Sequence, residues 1–115
     1  MASPAAATDL SAPYAPDDAQ LAVIRDGLSA QMLDPTSTIV SQVLARDEVD
    51  GKAKVTWACG KVRGKNTFGG YAPDTWFFGT TMYRPDGSAF FLPMIIAKNA
   101  AQSEGAIKMC LEKMQ

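Results

Sequence analysis

The stretch Asp50-Gly51-Lys52-Ala53-Lys54-Val55-Thr56-Trp57-Ala58-Cys59 decides the fold. Asp-Gly supplies a residue able to take the positive φ that a hairpin turn demands. The alternation of Ala53, Val55, Trp57 and Cys59 that follows has the period of a strand with one face turned to a core. Upstream, Ile39 to Ala45 is β-branched and apolar enough to be the partner strand, although its alternation breaks at Ser41 and Gln42. Downstream, Arg84-Pro85-Asp86-Gly87 marks a second turn. The strand leading into it, Thr75 to Tyr83, carries Trp76, Phe78 and Met82 on one face and Phe77 and Tyr83 on the other. The strand leaving it, Ser88 to Ile96, contains Pro93, which cannot donate a ladder hydrogen bond and therefore belongs at a sheet edge or a bulge.

Helices flank these hairpins. Asp17 with Gln20 reads as a capping box, and Leu21, Ile24, Leu28 and Met32 recur at helical spacing to form one apolar stripe. Pro35 disfavours helical backbone at the residue before it, so this helix ends by Asp34. Asn99 with Gln102 repeats the capping pattern for a final helix, in which Ile107, Cys110, Leu111 and Met114 form the expected core face. The expectation is an α+β domain: an N-terminal helix, a four-stranded, mainly antiparallel sheet from two hairpins, and a C-terminal helix, both helices on one sheet face.

Residues 1–16 hold three prolines and, after Met1, only Leu10 and Tyr14 as sizeable apolar groups, which predicts a disordered Ala/Pro-rich tail before a single domain at 17–115. A tail of this composition fits an export remnant or a linker equally well. The 115 residues suffice for one domain with a real core, and 47% hydrophobic with 20% charged residues is ordinary globular composition. No run of residues reaches the ~20 apolar positions that a membrane-spanning helix needs, so a membrane association would rest on a removed anchor. The net charge of −1 argues against the broad positive field of a non-specific nucleic-acid binder.

The chain has no histidine, which removes Ser-His and Cys-His nucleophile pairs, the commonest general base and the usual zinc ligand together. Two cysteines do not make a four-ligand zinc site, and the acids follow no calcium-loop pattern, so neither a metal nor another cofactor is expected. Gly60 to Asn66 lacks the glycine spacing and the Ser or Thr of a phosphate loop. Asp47, Glu48 and Asp50 sit at the first hairpin's tip and read as solvated charges. With no activating partner for Lys65 or Asn66 in the loop, the chain reads as a non-enzyme.

Between Gly51 and Pro73 stand Lys52, Lys54, Lys61, Arg63 and Lys65 with no acid among them. Phe68 and Tyr71 add aromatic surface. This segment reads either as the solvated edge of a strand followed by a glycine-shaped loop, or as an anion-friendly strip. In the second reading Lys61, Arg63, Lys65, Asn66, Phe68 and Tyr71 form the ligand site, and a nucleic-acid module using the cations for phosphates and Phe68, Tyr71 or Trp76 for base stacking is the alternative. Cys59 follows the Val55 and Trp57 face while Cys110 lies on the last helix's apolar stripe, so both point inward. They form either a disulfide, adding about 2–4 kcal/mol, or two buried thiols packed as small hydrophobes.

The run Cys59-Gly60-Lys61-Val62-Arg63-Gly64-Lys65-Asn66-Thr67-Phe68-Gly69-Gly70-Tyr71, downstream of Asp34-Pro35-Thr36-Ser37, resembles a pattern of small uncharacterised bacterial proteins, often exported or lipoprotein-like. Those proteins carry an Asp-Pro-x-Ser turn and a Cys-Gly-x-Val-Asn-x-Lys-Asn-x-Phe-Gly-Gly-Tyr motif. Arg63 here departs from their usual Asn. The resemblance implies a periplasmic, envelope or secreted location and brings no activity, substrate or cofactor with it. An oxidising compartment favours the disulfide between Cys59 and Cys110. The expectation is thus a monomeric, non-enzymatic envelope or secreted protein that presents the 63–71 loop to a protein partner or an anionic ligand, and that could be met as an antigen if displayed on a cell surface.

Overall fold

Strands with apolar residues on both faces need a cover on each side. The structure, a computed structural model, describes residues 8–32, 35–64 and 73–115. Its elements are β1 (Thr8–Leu10), α1 (Asp18–Ser29), β2 (Ile39–Asp50), β3 (Ala53–Arg63), β4 (Thr75–Tyr83), β5 (Ala89–Ile96) and α2 (Ala100–Met114), with a 3₁₀ turn at Pro35–Ser37. The strands form one antiparallel sheet in the order β1-β2-β3-β4-β5. The four expected strands are its body, and the fold is α+β.

Local signals set the element ends. Gly51 takes φ 64° between the paired residues Asp50 and Ala53. At the second turn the Gly87 N–H donates to the Arg84 carbonyl at 2.9 Å, with Gly87 at φ 91°. Asp86 Oδ1 accepts from the Ser88 N–H at 2.8 Å and from its hydroxyl at 2.7 Å, which holds the Asp86 carboxyl below its ordinary pKa. Asp17 caps α1 through the expected reciprocal box with Gln20. Asn99 accepts from the Gln102 N–H at 2.9 Å, while the Gln102 side chain reaches past it to the Lys98 N–H at 2.7 Å.

The broken alternation at Ser41 and Gln42 is a β-bulge. Ser41 lies opposite Lys61 and Leu44 opposite Cys59, so Gln42 and Val43 together face Gly60. Gln42 takes φ 54°, and a β-carbon on Gly60 would lie 3.0 Å from the carbonyl oxygens of Ser41 and Gln42. Pro93 meets both of its expected settings, because β5 is an edge strand and the register slips between Phe78, opposite Ile95, and Gly79, opposite Pro93.

The helices lie on opposite faces of the sheet, not on one face as expected. Phe77 and Phe78 are neighbours on β4, point to opposite sides and are both 0% exposed. Phe77 packs in a core with Ile24 and Leu28 of α1 and with Ala45, Ala58, Val62 and Phe91. Phe78 packs in a second core with Cys59 and Ala106 of α2, flanked by Trp57, Trp76, Ile95, Met109, Cys110 and Met114. Two apolar sheet faces leave no low-energy arrangement with both helices on one side. The α2 stripe is also rotated from its expected position: Ala106, Met109, Cys110 and Met114 turn inward, and Leu111 is 55% exposed.

The expected tail differs too. Residues 1–7 lie outside the described residues, but Thr8–Leu10 pair with Glu48–Asp50 as a fifth strand. Tyr14 and Ala45 exchange backbone bonds at 2.8 Å in both directions, and the Ser11 N–H donates to the Asp47 carbonyl at 2.9 Å. The attachment is mainly through backbone and polar groups, with the Tyr14 ring packed against the Phe77 core and Leu10 49% exposed, and a composition reading does not weigh backbone bonds. Tyr14 OH donates to Asp47 Oδ1 at 2.7 Å and accepts from Gln20 Nε2 at 2.8 Å. Thr56 also donates to Asp47 Oδ1, at 2.8 Å.

Two predictions follow from this packing. A β-carbon on Gly27 of α1 would fall onto the Phe91 carbonyl and lie 2.9 Å from Phe91 Cβ, whereas one on Gly105 of α2 meets only Ile95 Cδ1 at 4.0 Å. Gly27→Ala should therefore destabilise by about 1–3 kcal/mol. Gly105→Ala should stabilise by up to about 1 kcal/mol through helix propensity, and urea titration of both variants checks the opposite signs.

Burial, with the bond to Asp47, pushes the Tyr14 hydroxyl from an ordinary 10.0 up to about 12. The folded state thus keeps this proton longer than the unfolded chain does. The contribution is intact below pH 10 and is lost as pH rises through about 12. Denaturation midpoints should fall over this window less steeply in Tyr14→Phe than in the unsubstituted protein.

Candidate functional site

Strand alternation puts Trp57, Cys59, Lys61 and Arg63 of β3 on the face that α2 covers, running toward the 64–74 connection. Trp57 stacks on Phe78 with centroids 5.6 Å apart at an interplanar angle of 12°. Its Nε1–H donates to Glu48 Oε1 at 2.9 Å, and Lys113 of α2 sets its ammonium 4.2 Å from the ring centroid. Lys61, opposite Trp76 in the ladder, places Nζ 5.3 Å from the Trp76 ring. Arg63 Nε lies 3.7 Å from Asp74 Oδ1, with both side chains nearly half exposed, a pair worth at most about 1 kcal/mol. The face alternates tryptophan and cation, each Trp carrying one lysine.

Cys59 sits at the centre of this arrangement. It is buried and bonded to Cys110, with a Cα–Cα distance of 5.8 Å, so the inward directions read from strand and helix spacing meet. The bond closes a separation of 51 residues and ties β3 to α2 two positions before Lys61. Arg46 strengthens the same seam by donating from Nη1 to the Lys113 carbonyl at 3.2 Å and to the Gln115 carbonyl, while its Nε donates to the Ser11 carbonyl at 2.6 Å. One guanidinium thereby joins the N-terminal segment, β2 and the end of α2.

The expected ligand residues divide. Lys61 and Arg63 share one face at the loop end of β3, whereas Lys65, Asn66, Phe68 and Tyr71 lie outside the described residues. The cations do not form one strip. Lys52 is in the hairpin turn at the other end of β3, and Lys54 is on the α1 face, 3.9 Å from Asp47 and 5.0 Å from the Tyr83 ring centroid. Asp47 and Glu48, expected as solvated tip charges, accept hydrogen bonds from Tyr14, Thr56 and Trp57. Trp76, a candidate stacking ring from sequence, lies on this face, whereas Asp74 and Lys113 belong to it and were not singled out. Finding them requires the β3–β4 register across the long connection and the helix rotation, neither of which a local pattern encodes.

Comparison with protein-family models, curated proteins and solved structures finds no match for this chain.

Protein folded under oxidising conditions should show no free thiol to a titrating reagent after denaturation without reductant. It should show two after reduction, since the chain has two cysteines. A thiol detected before reduction contradicts the bridge.

Proposed function

We propose that the chain is a non-enzymatic binding domain of the bacterial envelope or a secreted protein, presenting the 63–71 loop to a protein partner or an anionic ligand. The observation that carries this reading is the clustering of Lys61, Arg63 and the Cys59–Cys110 bond on one face at one end of β3. A cross-link immediately behind a loop lowers the cost of ordering that loop for a partner. The location is supported by the disulfide, which is compatible with an oxidising compartment, and by the exported character of the proteins whose motif the chain resembles. Among the described residues no helix is long and apolar enough to cross a membrane.

A long nucleic-acid track is less well supported than a local site, because Lys54 is engaged with Asp47 on the opposite face. The cations at this end of β3 are Lys61, set over the Trp76 ring, and Arg63, paired with Asp74, with Lys65 next in the sequence. Binding to such a site weakens with salt as counterions are released.

Titration against heparin, anionic phospholipid vesicles and single-stranded DNA at low and moderate salt tests the anion reading. We expect heparin binding that falls with salt and a slope reduced by about 1–2 in Arg63→Ala/Lys65→Ala, with thermal stability nearly unchanged. No binding to any of the probes, or binding indifferent to the double substitution, removes the anion site and leaves display to a protein partner.

A further inference from the structure

The second core has an unusual dependence on one covalent bond. On the α1 side of the sheet, two helix residues, Ile24 and Leu28, are buried in a continuous apolar cluster that includes Phe77, Phe91 and Val62. On the other side Ala106 is the only residue of α2 that is buried, and Met109, Cys110 and Met114 are partly covered. Alanine brings little apolar area, and partly covered methionines are adaptable contacts that do not fix one geometry. The helix is weak by itself, since fifteen residues are marginal in water and Gly105 sits in the middle of this one. Besides this packing on Phe78, Trp57, Trp76 and Ile95, the helix is held by the bond from Cys110 to Cys59, the Arg46 contacts to its last carbonyls and Lys113 over Trp57. The strand ladders and the α1 core, by contrast, are built from residues outside α2.

We propose that the Cys59–Cys110 disulfide is a redox latch: its reduction releases α2 as a unit from a sheet that stays folded, uncovering Trp57, Trp76 and Phe78 beside Lys61 and Arg63. Cys59 is buried and Cys110 only partly covered, which directs attack to the Cys110 side of the bond. A dithiol reductant attacks the Cys110 sulfur as its thiolate, the S–S bond breaks and Cys59 departs as a thiolate that takes up a proton. The reductant's second thiolate then attacks the mixed disulfide, freeing Cys110, which is protonated in turn, and leaving the reductant as its own disulfide. The surface so opened joins the rings of Phe78, buried in the closed state, and of Trp57 and Trp76, partly covered there, to Lys61 and Arg63 on two adjacent strands.

Amide hydrogen exchange of the full chain, oxidised and after dithiothreitol, reads this out. Protection across Ala100–Met114 should fall on the order of 10²–10³-fold on reduction, while the amides of Ala58, Val62 and Phe77 keep theirs. The chain's two tryptophans both lie under α2, so their emission should shift to longer wavelength together with the exchange and return on reoxidation. Cys110→Ser without reductant should match the reduced protein and no longer respond to dithiothreitol. Unchanged α2 protection after reduction would overturn the latch, and so would a joint loss of protection by α2 and the central strands, which would make the bond a global cross-link.

Discussion

The rest of the structure depends on two adjacent phenylalanines. Phe77 and Phe78 occupy consecutive positions on β4, a strand inside the sheet, and backbone geometry sends their rings to opposite faces. Neither ring can be left in water without losing roughly 2–3 kcal/mol of burial, so each face acquires a helix. The flanking strands conform: Ala58 and Val62 of β3 serve the Phe77 side, and Cys59 with Trp57 serves the Phe78 side. A helix, two hairpins and a helix thereby become three layers with the sheet in the middle.

The two outer layers are held by different means. The α1 layer is ordinary side-chain packing, brought close by Gly27, whose missing β-carbon lets the helix backbone approach Phe91 of β5. The α2 layer is a fifteen-residue helix with one buried alanine, held by a disulfide, a cation over Trp57 and the Arg46 guanidinium as well as by partly covered apolar contacts. The sheet edges differ as well. β1 caps β2 with three residues of backbone pairing, and β5 carries Pro93 in a bulge, which spoils the regular row of donors that edge-to-edge association would use.

Most of what was legible in the sequence is local. Asp17 with Gln20, Asn99 with Gln102, Asp50-Gly51 and Arg84-Pro85-Asp86-Gly87 each act within one turn of chain, so residue type alone specifies geometry. The inward pointing of Cys59 and Cys110 was legible because two periodicities each aim a side chain at the core. The opposite placement of the helices was not drawn from the pattern, although Trp76, Phe77 and Phe78 carry it, because period-2 alternation says that two faces are apolar without saying which helix covers which. The attachment of residues 8–14 was hidden for a different reason: it rests on main-chain bonds to β2 and on the Tyr14–Asp47 contact, and backbone donors look alike in every sequence. At the candidate site the pairing of Lys61 with Trp76 and Arg63 with Asp74 depends on a register set across a connection of ten or so residues.

The proposed role places function in what this scaffold presents on its α2 side. The tryptophan–lysine face and the disulfide beneath it form one continuous region on the α2 side. All of it presupposes the two-sided sheet. The most direct test is a set of side-chain nuclear Overhauser contacts in the oxidised protein. The account predicts that Ile24 and Leu28 methyls connect to the Phe77 and Phe91 cluster while the Ala106 methyl connects to the Phe78 and Cys59 cluster, with no cross-connection between the sets. Contacts from both helices to the same phenylalanine ring would place them on one face and contradict it.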